Sequence, residues 1–76
     1  MPIIIAPINK KLKVIRISAN EKTKKRLESL GITVGSVLFV ISNNAGDIIV
    51  NTKDSKIAIE KNVAIKIYVE NVRWKH

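Results

Sequence analysis

From Lys11 to Ile17 apolar and polar residues alternate, the period of a half-buried strand. Leu12 and Val14 share one face, with Lys11, Lys13 and Ile15 on the other. The apolar phase then switches, putting Ile15 and Ile17 on the second face and Arg16 on the first, which predicts a bulge or a corner bend. A helix is predicted next, over Asn20 to Leu30. Asn20, or Ser18 before it, caps the first turn, and Glu21 sits where the helix dipole favours an anion. Ala19, Thr23, Leu27 and Leu30 form a narrow apolar stripe, while Glu21 with Lys25 and Lys24 with Glu28 are (i, i+4) pairs in the favourable order. Gly31 follows at the position where a helix often ends in a left-handed residue. A helix this short needs a sheet to pack on.

The second half of the chain is read as strands and turns. Val37 to Ile41 is an unbroken apolar run, as in a strand buried on both faces. Asn43-Asn44-Ala45-Gly46 supplies a hairpin connection, Ile48 to Thr52 returns, Lys53-Asp54-Ser55 turns again, and Lys56 to Ile59 forms a short strand. Glu60-Lys61-Asn62 breaks the pattern before Ile65, Ile67 and Val69 alternate with Lys66, Tyr68 and Glu70 in a closing strand. The N-terminal run Ile3-Ile4-Ile5, between Pro2 and Pro7, is too short for a membrane span or a signal-peptide core, and reads as an opening strand or arm. The expected architecture is mainly β: a small SH3-like barrel, one domain over residues 1–76, with one short α-helix between the first and second core strands.

Length makes the core thin, since 76 residues bury only about 60% of their extended-chain surface. No cysteine is present and the single histidine is His76, so neither a disulfide nor a zinc site reinforces the fold, and no cofactor is expected. With no span or leader in view, the expected compartment is the cytoplasm, and a homo-oligomer is left open. The formal net charge is +8, which favours an anionic partner over a neutral one. The plain alternative is a solvated lysine surface. The charge is uneven, however: Lys10, Lys11, Lys13, Arg16, Lys22, Lys24, Lys25 and Arg26 all precede Leu27, with Glu21 the only acid among them.

Catalysis finds little support. The serines have no histidine base except the terminal one, and the six acids are scattered over turns and polar faces. Thr33-Val34-Gly35-Ser36 lacks the Gly-Lys-Ser/Thr of a phosphate loop. Nucleic-acid binding by a small basic barrel is the stronger rival, because lysines contact phosphates. It also needs exposed aromatic platforms, and Phe39 falls inside the apolar run, leaving Tyr68 and Trp74.

The segment Lys25-Arg26-Leu27-Glu28-Ser29-Leu30-Gly31-Ile32-Thr33-Val34-Gly35-Ser36-Val37 resembles the core motif of the FeoA family. The matching positions are Arg26, Leu27, Leu30, Gly31, Ile32 and Gly35. Val34 stands where proline is common, and Pro7-Ile8-Asn9-Lys10 replaces a glycine often found before the first strand. Val14 to Ile17 and Ile57 to Ile67 look like that family's first strand and closing segment. The resemblance also extends to the SH3-like domain of some metal-dependent repressors, so a regulatory domain without its DNA-reading half is a third reading. What the resemblance implies is an SH3-like fold and a non-enzymatic, cytosolic accessory role in ferrous-iron uptake, exercised by binding the cytosolic part of a FeoB-type transporter. In that role Leu27, Leu30, Gly31, Ile32 and Gly35 are mainly structural.

A partner surface is expected on the helix. With Thr23, Leu27 and Leu30 facing the sheet, Lys22, Lys25, Arg26 and Ser29 project outward. Lys22 and Arg26 are like charges four apart, mildly unfavourable for an isolated helix. A complementary acidic partner would account for them.

Overall fold

The computed structural model describes residues 1–44, 46–53 and 55–72. Strand β1 (Lys11–Ile17) buries Leu12, Val14 and Ile17 and leaves Lys11, Lys13, Ile15 and Arg16 outside. The predicted phase switch is present as a register shift between Val14 and Arg16 against the last strand. Its consequence differs from the expectation in one residue. The irregularity leaves Ile15 exposed along with Arg16, so Ile17 alone returns to the core.

Helix α1 (Glu21–Ser29) begins as the sequence indicates, with the Asn20 side chain accepting a hydrogen bond from the Thr23 amide at 2.8 Å. Its exit is a Schellman arrangement. The Ile32 amide donates to the Leu27 carbonyl at 2.9 Å and the Gly31 amide to that of Glu28 at 3.0 Å. Gly31 takes φ +87° between them. Leu27 and Ile32, the two side chains such an exit brings together, are both buried. Leu30 is not: it is 39% exposed, so the expected apolar stripe ends at Leu27.

From Ile32 the chain turns through Thr33 to Ser36, with the Ser36 amide on the Thr33 carbonyl at 2.9 Å and Gly35 at φ +98°. That is the positive φ a type II turn demands of its third residue. The Ser36 hydroxyl accepts from the Thr33 amide at 3.0 Å and bonds the Gly31 carbonyl at 3.1 Å, bracing the turn where Val34 replaces a proline. Gly35 N–H donates to Val14 and Val14 N–H to Ser36, at 2.7 and 2.8 Å, which fastens the turn to β1. Asn9, before β1, adopts φ 61° and so takes the left-handed position without a glycine.

Strands β2 (Val37–Asn43), β3 (Ile48–Asn51), β4 (Lys56–Ile59) and β5 (Ile67–Asn71) complete an antiparallel sheet in the order β4-β3-β2-β1-β5. The sheet is mainly β and SH3-like in its connections, but its ladder is open, because β4 and β5 do not pair. The expected double-sided burial of Val37 to Ile41 does not occur. Leu38 and Val40 are fully buried, whereas Val37 and Phe39 are 39% and 38% exposed. The Glu60 break is followed by a short helix, α2 (Lys61–Ala64), that the polar residues there did not reveal, and Ile65 caps it from outside rather than starting β5. Residues 1 and 2 run against β5, with Val69 N–H on the Met1 carbonyl at 2.7 Å. A 3-10 turn, Ile3–Ile5, then packs on α2 and β5, where an opening strand was expected. Ala45 of the first hairpin, Asp54 of the second turn, Trp74 and His76 lie outside the described residues.

A Cβ added at Gly31 would meet nothing within 4 Å, so its requirement is one of backbone angle alone. Gly31→Ala is expected to cost about 1 kcal/mol, with Gly31→Asn the milder of the two. Urea unfolding of both variants measures this. Alanine proving milder than asparagine would contradict the left-handed requirement.

Candidate functional site

The helix residues singled out as a contact face all reach solvent: Lys22, Lys25, Arg26 and Ser29 are exposed. They are not equivalent. Arg26 Nη2 donates to Glu60 Oε1 at 3.0 Å, an exposed ion pair that ties α1 to the start of α2. Such pairs contribute roughly 0–1 kcal/mol. Arg26 therefore has an acidic partner within the chain itself, where the spacing suggested one outside it. The Ser29 hydroxyl donates to the Arg26 carbonyl at 2.6 Å, a local bond within the last turn. Lys22 and Lys25 make no ion pair within 4 Å among the described residues, and the Glu21–Lys25 and Lys24–Glu28 pairs do not close.

A second surface was not read from the sequence. On the uncovered face of the sheet, Phe39 stands between Lys11 of β1 and Asn51 of β3 in the pairing register, and Val37 beside Lys13. Two shallow depressions adjoin there. One, of about 440 Å³, is lined by Leu30, Gly31, Val37 and Lys53 among others; the other, of about 460 Å³, by Lys11, Phe39 and Asn51. They share Val37, Thr52 and Lys53, and so form one trough from the helix exit to the middle of β2. The signal that could have found it is Phe39 itself. In a strand that alternates, the neighbours of buried Leu38 and Val40 must face outward.

Catalytic chemistry has little to work with in this arrangement. No polar or charged side chain is buried among the described residues, so none is desolvated in the way that tunes an acid, a base or a nucleophile. Ser29, Ser36 and Ser55 spend their hydroxyls on backbone or turn partners. No three His, Cys, Asp or Glu side chains gather among the described residues in a way that would hold a metal ion. Tyr68 lies under Arg16, whose guanidinium carbon is 5.6 Å from the ring centroid.

The family model described as the FeoA domain matches residues 1–71. The chain belongs to the FeoA family. A Methanocaldococcus jannaschii protein that bears the provisional name Fe(2+) transport protein A is 40% identical over 73 residues, 96% of this chain and 89% of that one. A crystal structure of an iron uptake regulatory protein, FeoA, superposes with a TM-score of 0.86 at 25% identity, covering 95% of this chain and 97% of the other. A manganese-dependent transcriptional repressor superposes equally well, at 0.85 and 24% identity, over 41% of its own length. That likeness is one of fold alone. The FeoA motif now has a physical content: Leu27, Gly31 and Ile32 build the helix exit and Gly35 the turn that anchors it, while Leu30 points into the trough.

This FeoA protein has no cysteine, and among the described residues the scattered carboxylates gather no set of donors for a tight metal site. Its melting temperature is expected to stay the same in chelator and in excess ferrous iron under anaerobic conditions. A rise on adding iron, with low-micromolar binding in titration calorimetry, would contradict this.

Proposed function

We propose that this chain is a non-catalytic accessory protein of ferrous-iron uptake, acting in the cytoplasm by binding the cytosolic part of a FeoB-type transporter. The observation that carries the reading is the FeoA match over residues 1–71, together with a 40% identical relative named for Fe(2+) transport. The surface chemistry supports it. Exposed cations and a trough that holds three exposed apolar side chains suit recognition of another protein, and iron handling is left to the transporter. No helix among the described residues is long and apolar enough to cross a membrane. In this reading Lys22 and Lys25 steer the encounter, since charge complementarity raises association rates more than it adds affinity. Arg26 and Ser29 flank them, Arg26 held by Glu60.

Nucleic-acid binding gains one point and loses another. Phe39 is exposed after all, but Tyr68 is covered by Arg16, which leaves one free aromatic platform among the described residues.

Binding kinetics against the purified transporter domain test the proposal. Wild-type protein is expected to bind, and the double variant Lys22→Glu, Lys25→Glu to keep its melting curve while associating more slowly, with the difference shrinking as salt rises. Arg26 is left in place so that the Glu60 pair stays intact. No binding by the wild type would overturn the function. Unchanged association at low salt would remove the helix from the contact.

A further inference from the structure

We infer that the trough from Leu30 to Phe39 is a docking surface for an acidic protein segment carrying an aliphatic anchor side chain. Three large apolar residues, Leu30, Val37 and Phe39, are each nearly two-fifths exposed there, side by side at the helix exit and on β2. Folding does not account for them. Leu38 and Val40 already supply the core contribution of β2, and an outward position on a one-sided sheet is ordinarily polar. On the neighbouring strands Lys13, Asn51 and Lys56 follow that rule, while Ile15 and Ile49 also face outward but do not line the trough.

The charge around the strip selects its occupant. Lys53 lines both parts of the trough, Lys13 stands in register beside Val37, and no carboxylate lines it among the described residues. A second copy of this chain, at a net charge of +8, would be repelled. An acidic segment is attracted and oriented. A nucleic acid would meet the same lysines, but Leu30 and Val37 offer no π-face on which a base can stack. Their shape suits an aliphatic side chain, and the combined depression has room for one. The assignment rests on the proposed function for the partner's identity: the segment belongs to the transporter's cytosolic part.

The test is amide chemical-shift mapping with a peptide of alternating Glu and Leu, with Glu/Ser and Lys/Leu peptides and oligo(dT) as comparisons. The Glu/Leu peptide is expected to shift Val37, Phe39, Asn51 and Lys53, and Phe39→Ser to weaken it about tenfold, as loss of a central apolar anchor does. Lys53→Glu, in a turn outside the core, is expected to weaken it as well and guards against a folding defect in the first variant. Shifts confined to α1, no saturable shift at Phe39, or tighter binding of oligo(dT) to this face at physiological salt would each overturn the assignment. Repeating the measurement with the transporter domain separates the two ideas. Equal binding of that domain by wild type and Phe39→Ser sinks the surface and leaves the function standing. Peptide binding at Phe39 with no binding of the domain leaves the surface and sinks the function.

Discussion

A five-stranded sheet has two faces, and the described residues supply lids for one of them. Inward side chains of β1 to β5, from Leu12 and Val14 to Ile67 and Val69, meet Ile3, Ala6, Leu27, Ile32 and Ala64 from the short elements. Nothing remains in the described chain to cover the other side. Burial is the dominant favourable term in folding, so the stability of this protein is concentrated in a single layer of Ile, Leu and Val. That asymmetry organises the rest of the molecule, since whatever apolar surface lies on the open face is available to a partner.

The lid that matters most is α1, and at nine residues it is too short to persist alone. The helix exit makes it part of the sheet. Leu27 gives its carbonyl to Ile32, both side chains enter the core, and three residues later the Gly35 turn exchanges hydrogen bonds with Val14 of β1. Helix, turn and strand thereby hold one another in register. The glycines matter here for their backbone angles, not for close packing, because a Cβ on either would have open space. On the other side, the Arg26–Glu60 pair links α1 to α2 at small energetic weight, and Asn43 ties β2 to the 3-10 turn through the Ile4 carbonyl.

Local rules made much of this legible in advance. The cap at Asn20, the left-handed Gly31, the irregularity in β1 and the succession of strands each depend on neighbours in sequence, where propensity and period operate. The misreadings have a common cause. Val37 and Phe39 look like core residues because hydrophobicity alone does not say whether a sheet is covered on both sides, and Leu30 continues the helical stripe until the Schellman exit rotates it outward. The partner of Arg26, Glu60, is thirty-four positions away and no spacing rule reaches it. The short α2 carries no capping side chain to announce it. The helix cations of the candidate site were visible from their spacing. The trough was not, because it is assembled from β2, from Thr52, Lys53 and Ser55, and from the helix exit.

Within the FeoA family, then, this chain couples a one-sided core to an open face that carries cations and a few exposed apolar side chains. The motif residues divide between the two tasks, with Leu27, Gly31, Ile32 and Gly35 serving the core side and Leu30 the open one. Denaturant unfolding of two adjacent substitutions in β2 tests this division most directly. Leu38→Ala should cost about 2–5 kcal/mol, as the loss of a fully buried leucine does, and Phe39→Ala less than about 1 kcal/mol, as at a surface position. Equal losses would show that the outer face belongs to the core, and the account of a single buried face would be wrong.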